Sequence, residues 1–545
     1  MSHASTSVEA GGITVTINGA ELVTAAENAT AVLVDDGVPG ALMAKEASLW
    51  GADAAELAAT RLGWLDLPST SRQYLPELRD LFAELQADGV DHVVLAGMGG
   101  SSLAPEVIAA TAGVRLTVLD TTDAGQVATA IADRLEQTVV VVSSKSGGTL
   151  ETDSHRRTYE QAFRDAGINP AARIVVVTDP GSPLEVSARA AGYRVFLADP
   201  NVGGRYSALS AFGLVPSALA GVDVAGLLDD AQALLPALGS AANNPGLALG
   251  AVLGAAGTAG RDKVVIADFG SRHPGFGDWA EQLVAESTGK QGTGLLPVVV
   301  ESVESPGFSE ESDRHLVTLG QHLHIEGTTV SGSLGAQFMV WEYATAVAGR
   351  ILGIDPFDQP NVQESKDNTG KILDEAADGP LPEGEPLFTD GTVALYTDDP
   401  IMLGGAHDLT TALSAVLRSI PEHGYLAVMA YLDRQADAAA AIVRKSLARH
   451  TDRPVTFGWA PRFLHSTGQY HKGGPQNGAF LQITGVVAQD LPIPGRPFGF
   501  ARLQMAQALG DLRALQQRGR PAIRLHLLDR TLGLEELLNA AGAAR

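Results

Sequence analysis

Between residues 92 and 197, short runs of β-branched and apolar residues return at regular intervals, each followed by a longer helical stretch. The runs are His92–Ala96, Arg115–Leu119, Thr138–Val142, Arg173–Thr178 and Arg194–Leu197. Strands that are apolar throughout need cover on both faces, and intervening helices supply it, so the pattern calls for a parallel sheet wrapped on both sides. A second unit of this kind starts at Lys263–Asp268 and Leu296–Val300 and runs to a helix around 334–352. A third follows the Gly/Pro/Glu-rich segment Asp378–Pro386, which reads as a linker. Its strand candidates are Val393–Tyr396, Tyr425–Ala430, Val455–Gly458, Phe480–Thr484 and Ala522–Leu527. The expected fold class is therefore α/β: two doubly wound units with parallel sheets plus an additional C-terminal α/β unit. The expected divisions are 1–85, a lead-in with helical patches at Ala54–Leu62 and Leu75–Leu85 packed on the first unit, then 86–240, 241–377 and 386–545. Leu319-Gly320-Gln321-His322 resembles Thr467-Gly468-Gln469-Tyr470, and helices opening on Gly335 and Gly499 follow. This suggests a divergent repeat relating the second and third units.

Several classes fall away on composition. A chain of 545 residues is long enough for about three or four cores. It has no cysteine, which excludes disulfides, thiolate nucleophiles, iron–sulfur clusters and thiolate zinc sites, and agrees with a reducing cytoplasmic setting. The opening MSHASTSVEAGG has neither a basic lead nor an apolar core, so it does not read as a signal peptide. The apolar stretch near 245–260 is broken by Asn243, Asn244 and Pro245 and ends at Arg261, so it reads as a buried helix and not a membrane span. The net charge of −25 argues against nucleic acid, which needs basic surface to displace counterions. A phosphorylated ligand would also be repelled at long range. Any anion site must then be built locally from backbone N–H groups, hydroxyls and a few basic side chains.

Two loops suit that task. The first strand ends in Ala96-Gly97-Met98-Gly99-Gly100-Ser101-Ser102-Leu103, where glycines let backbone approach a ligand and the following helix directs free N–H groups at it. The spacing lacks the Gly-Lys-Ser/Thr end of a Walker loop and the full Gly-x-Gly-x-x-Gly of a dinucleotide site. The third strand ends in Val142-Ser143-Ser144-Lys145-Ser146-Gly147-Gly148-Thr149-Leu150-Glu151-Thr152. Hydroxyls at 144, 146 and 149 can converge on one anion as a helix opens. A Ser/Thr helix cap needs fewer of them. Two such loops at the carboxyl ends of strands in one sheet point to a phosphomonoester site.

These loops resemble a sugar isomerase (SIS) domain, and three further segments make the resemblance specific. Asn201-Val202-Gly203-Gly204-Arg205-Tyr206-Ser207 looks like the first signature of glucose-6-phosphate isomerases. Gln282-Leu283-Val284-Ala285-Glu286-Ser287-Thr288-Gly289-Lys290 is similar to the family stretch that carries the catalytic glutamate. Pro356-Phe357-Asp358-Gln359-Pro360-Asn361-Val362-Gln363-Glu364-Ser365-Lys366 is similar to its second signature. The resemblance covers roughly 90–375. The region from about 390 looks like the isomerase part of transaldolase–phosphoglucose isomerase fusions, here without a transaldolase half.

The resemblance implies two SIS domains and the reversible conversion of glucose 6-phosphate to fructose 6-phosphate through a cis-enediol, a step of glycolysis and gluconeogenesis, without cofactor or metal. It implies that Ser144, Lys145, Ser146 and Thr149 bind phosphate with Ser101 and the Gly99–Gly100 backbone nearby. Glu286 would be the base, Arg205 would stabilise the enediolate, Gln282 and Gln359 would line the sugar, and Lys366 would assist ring opening. The chemistry agrees independently: moving a proton next to a carbonyl needs one carboxylate that takes and returns it, and the developing oxyanion needs a fixed cation. The expected partner is a small hexose 6-phosphate, with no nucleic acid and no membrane. The expected assembly is a homodimer or a monomer.

The family's ring-opening histidine is missing from its expected place, which holds Val317 before Thr318-Leu319-Gly320-Gln321. His315, His322 and His324 are out of register. The third unit contains the pattern instead, in Leu464-His465-Ser466-Thr467-Gly468-Gln469-Tyr470-His471-Lys472-Gly473-Gly474. His465 is therefore the expected replacement, supplied within one chain where the family takes it from a neighbouring subunit. His465, His471 and Lys472 make a poor metal set, and no metal is expected. Alternatives are a dual phosphoglucose/phosphomannose isomerase and a non-catalytic SIS sensor. A sensor would not need Glu286, Arg205 and Lys366 together. An amidotransferase would need a cysteine nucleophile that this chain lacks.

Overall fold

In the computed structural model, which describes residues 4–544, the chain builds three sheets. It opens on an antiparallel hairpin of β1 (Ser5–Ala10) and β2 (Ile13–Asn18). The first sheet takes β3 (His92–Gly97), β4 (Thr117–Leu119), β5 (Thr138–Ser143), β6 (Ile174–Thr178) and β7 (Arg194–Leu197). Its order is β4-β3-β5-β6-β7 and every pairing is parallel. β3, β5 and β6 are buried along their whole length, which is why they carry no polar alternation. The order reverses between β3 and β5, so the carboxyl ends of these two strands flank the crevice where open α/β sheets bind ligands. Both anion-suited loops leave from those ends.

The second sheet is built from β8 (Lys263–Phe269), β9 (Leu296–Val300), β10 (Arg314–Gly320) and β11 (Gly327–Gly332), mutually parallel where they pair. Its full order is β1-β2-β11-β10-β8-β9. The lead-in expected to pack on the first unit therefore divides. Its hairpin joins the second sheet, with Val15 opposite Val330. Only the later part meets the first sheet, where the Tyr74 hydroxyl donates to the Leu197 carbonyl at 2.8 Å. The reason is physical: β11 would otherwise end the sheet with open N–H and C=O groups, and β2 covers that edge while burying Ile13, Val15 and Ile17.

The third sheet holds β12 (Phe388–Asp390), β13 (Val393–Tyr396), β14 (Tyr425–Tyr431), β15 (Val455–Trp459), β16 (Gly478–Gly485) and β17 (Ala522–Leu527) in the order β12-β13-β17-β16-β14-β15. Like the second sheet, it is an antiparallel hairpin set against four parallel strands in the same relative order. The repeat is thus real as topology. The two tetrapeptides that suggested it are not equivalent positions, however. Leu319–Gly320 ends β10, whereas Gly468 starts the short Gly468–Gly473 helix ahead of β16.

The third unit is docked on both others. One apolar cluster joins Val265, Leu296 and Leu316 of the second sheet to Tyr425, Met429 and Phe480 of the third. Another joins Ala124 and Val127 to Ile372, Leu373, Phe500 and Leu503. The latter lies where the Val362–Ala376 helix packs along the Phe500–Gln516 helix. The apolar stretch near 245–260 forms the buried helix Pro245–Thr258, and among the described residues no helix is long and apolar enough to cross a membrane. Residues 1–3 and 545 of the first and last divisions lie outside the described residues.

Candidate active site

At the end of β3, Gly99 adopts φ +54°, and a Cβ there would meet the His465 carbonyl at 2.7 Å and Gln282 Nε2 at 2.8 Å. A Cβ on Gly100 would lie 2.0 Å from the Gly204 carbonyl oxygen. These glycines therefore admit the other two units and the Arg205 turn, a packing demand beyond ligand approach. Ser101 is buried beside them.

At the end of β5, the hydroxyls of Ser144 and Thr149 are 3.0 Å apart, and the Ser146 hydroxyl accepts from the Gly148 N–H at 3.3 Å. Thr149 precedes the helix Leu150–Asp165 without capping it through its side chain, so that hydroxyl and the first-turn N–H groups can serve an anion. Lys145 sits differently from expectation. Its ammonium pairs with Asp179 and donates to the Pro200 carbonyl at 3.4 Å, so its charge is matched outside the loop. The hydroxyls and first-turn N–H groups are what this loop leaves to offer an anion.

Glu286 and Gln282 lie one turn apart on the buried helix Phe276–Thr288, and Gln282 Nε2 donates to Glu286 Oε2 at 3.0 Å. The same nitrogen donates to the His465 carbonyl at 2.7 Å. Arg205 Nη1 stands 3.5 Å from Glu286 Oε1. Its guanidinium is fixed by donation to Ser287 Oγ at 2.8 Å, Gln359 Oε1 at 2.6 Å and the carbonyls of Pro356 and Asp358 at 2.8 Å each. Gln359, expected to line the sugar, thus spends its amide oxygen on holding Arg205. Lys290 secures the same loop through the carbonyls of Asp355 and Asp358 at 2.6 and 2.7 Å, together with the Asp358 carboxylate. Burial, and then the Arg205 charge, lower the Lys290 ammonium to about 8, against the opposing pull of Asp358.

His465 ends a turn at Arg462–His465, and its Nε2 lies 3.1 Å from Glu151 Oε1. Burial acts to raise the Glu151 carboxyl, but the nearby His465 and Lys366 outweigh it and hold it at about 2. Lys366 is exposed on the Val362–Ala376 helix. Val317, the position expected of the missing histidine, is buried inside β10. His315 bonds Thr328 at 2.9 Å and His322 bonds Asn18 at 2.7 Å, both away from this cleft. His471 bonds the Tyr425 hydroxyl at 2.9 Å, and Lys472 pairs with Asp511 at 2.7 Å. Among the described residues no group of three or more His, Asp or Glu side chains is arranged to hold a metal ion.

Sequence reasoning assigned no role to Glu151, Lys290 or Gln507. Gln507 donates to Glu151 Oε1 at 2.8 Å. Glu151 directly follows the hydroxyl loop, so position alone could have marked it. Gln507 sits on an ordinary amphipathic helix and gave no local signal.

A parallel-stranded α/β protein whose site lies at the switch point of its first sheet is the class that this fold and geometry define. Within that class, residues 79–294 match the phosphoglucose isomerase family. The second signature, 356–366, lies beyond the matched stretch. The glucose-6-phosphate isomerase of Geobacter sp. (strain M21) is 29% identical over 347 residues, which are 52% of this chain and 65% of that one. That of Rubrobacter xylanophilus is 29% identical over 56% of this chain and 87% of its own length. The chain spans between 44% and 65% of three strongly matching relatives. The crystal structure of a glucose-6-phosphate isomerase from Chlamydia trachomatis shares the fold, with a TM-score of 0.56 at 18% identity over 69% of this chain and 90% of that one.

Proposed function

We propose that this chain is a glucose-6-phosphate isomerase that acts on a hexose 6-phosphate in the cytoplasm. The observation that carries the reading is the convergence at one cleft. Glu286 faces Arg205 at 3.5 Å, while Gln282 bonds both Glu286 and the carbonyl of His465. The Ser144, Ser146 and Thr149 loop, with Ser101 and the Gly99–Gly100 backbone, would hold the phosphate. Opening the ring requires a proton delivered to the ring oxygen and one removed from the anomeric hydroxyl. His465, backed by the Glu151 carboxylate, and Lys366 are the groups proposed for that exchange. Glu286 then takes the proton from the carbon next to the carbonyl and returns it to the neighbouring carbon. The negative charge that gathers on oxygen in the enediolate meets Arg205, whose guanidinium is already fixed and needs no reorganisation. A sensor would have no use for this buried carboxylate–guanidinium pair, which favours catalysis. Because His465 comes from the same chain, one chain holds a complete set of groups.

The test is conversion of fructose 6-phosphate to glucose 6-phosphate, run with EDTA, for wild type and Glu286→Gln. Wild-type turnover that falls roughly 10³-fold or more in the variant is the expected result, in the range a positioned acid–base group contributes. A wild type that binds fructose 6-phosphate without converting it would sink the isomerase and favour the sensor.

A further inference from the structure

We infer that Gln507, on the Phe500–Gln516 helix of the third unit, is the positioning residue that aims the Glu151 carboxylate at His465; this rests on the ring-opening role proposed above. The geometry forms an unbroken chain across two units. Thr122 Oγ1 donates to Gln507 Oε1 at 2.7 Å, and Gln507 Nε2 donates to Glu151 Oε1 at 2.8 Å. The same Glu151 oxygen faces His465 Nε2 at 3.1 Å. Thr122, Gln507 and Glu151 are all buried. The orientation of the amide follows from chemistry. An ionised carboxylate only accepts, so the face of Gln507 turned to Glu151 must be its NH₂, which leaves the amide oxygen for Thr122. Thr122 and Glu151 come from the first unit, Gln507 and His465 from the third, so the third unit braces Glu151 through Gln507 and the first unit braces Gln507 through Thr122.

Docking of the third unit thus does more than deliver a histidine. Without Gln507, one oxygen of a buried carboxylate loses a donor, and the acid can rotate away from the imidazole it orients. The same helix also grips the Lys366 helix. Ser365 Oγ donates to Asp511 at 3.1 Å and Asn368 Nδ2 to the Gly510 carbonyl at 3.4 Å, and in the turn that follows the helix Arg518 donates to Glu364 at 2.5 Å. Both groups proposed for ring opening therefore depend on one third-unit helix, whereas Glu286 and Arg205 are held by the second unit and its signature loop.

The test compares two substrates on the full chain. Fructose 6-phosphate must open its ring. 5-Deoxyfructose 6-phosphate lacks the hydroxyl that closes it and enters directly at proton transfer. Gln507→Leu is expected to lower kcat/KM on fructose 6-phosphate roughly ten- to hundredfold, a part of what a positioned acid–base group contributes, and to leave the acyclic substrate within about threefold. Thr122→Val, which removes only the outer brace, should show the same split more weakly while keeping the fold. An independent readout is the His465 imidazole N–H resonance of histidine-labelled protein, assigned with His465→Gln. It should be present in wild type and lost or displaced in Gln507→Leu. Equal losses on both substrates, or an unaltered resonance, would overturn the positioning role. If the wild type turned over neither substrate, the isomerase reading would fail while the resonance still decided whether Gln507 holds the pair.

Discussion

Arg205 shows what one residue is asked to do and what constrains it. Its four hydrogen bonds to Ser287, Gln359, Pro356 and Asp358 leave the guanidinium no freedom to turn, and it faces Glu286, the proposed base, across 3.5 Å. Lysine offers a point charge without the planar fork, so Arg205→Lys keeps the charge but loses the geometry. The expected result is a fall in kcat of roughly 10²-fold, as for removal of one oxyanion donor, with a smaller change in KM. Steady-state kinetics decide it, since a rise in KM alone would mean that Arg205 binds substrate and transition state equally. The Arg205 and Glu286 motifs were legible because each lies in a short contiguous segment. Lys145 was legible as part of its loop, but the partner that takes its charge, Asp179, belongs to a different strand end.

The elements meet at glycines where there is no room for a side chain. A Cβ on Gly510 would lie 2.7 Å from Thr369 Oγ1 and 2.9 Å from the Thr369 backbone nitrogen. Gly510→Ala must push the Phe500–Gln516 helix off the Val362–Ala376 helix, a strain that costs about 1–3 kcal/mol. The expected outcome is a lower thermal midpoint together with reduced turnover of cyclic substrate, because the strain separates the helix that carries Lys366 from the one that carries Gln507. Unchanged activity in a protein with a lowered midpoint would show that this helix pairing serves stability alone. The strands most easily read were those of the first sheet, where burial on both faces forces an uninterrupted apolar run. β10 and β11 escaped notice because only residues 321–326 link them and no helix intervenes, so the alternation that marks a crossover is absent. The β1–β2 hairpin was missed because its partner edge forms some 300 residues later, with Thr16 opposite Thr329.

For the molecule as a whole, the joint between the first and third units is ionic as well as apolar. Glu106 pairs with both Arg434 and Arg462, and Arg462 Nε reaches Asp120 at 3.0 Å. Burial acts to raise the Glu106 carboxyl, but the two arginines lower it from the ordinary 4.5 to about 2. A folded value below the unfolded one means that the unfolded chain binds more protons between these pH values. The stability gained is therefore complete above about pH 4.5 and is lost as pH falls toward 2. Glu151 acts in the same sense. Glu106→Gln should be less stable than wild type at pH 6 and lose less on going to pH 3, as followed by thermal midpoints; parallel loss in both proteins would remove Glu106 from this account. Because the proposed site is complete within one chain, specific activity on fructose 6-phosphate should stay constant on dilution from micromolar to nanomolar protein. A decline at low concentration would mean that a second copy completes the site.

The sequence by itself determined the class of fold, the two hydroxyl- and glycine-rich loops at the switch point, and the motifs around Arg205, Glu286 and Gln359. Each of these is encoded by residues near one another along the chain, where periodicity and short-range chemistry leave a pattern. Only the tertiary structure decided where the opening hairpin pairs, that Lys145 is taken by Asp179, and that His465 and Gln507 both meet Glu151. Those two contacts span 314 and 356 residues. Docking of separate units brings such side chains together, and docking is settled by whole buried surfaces, to which no short segment holds the key.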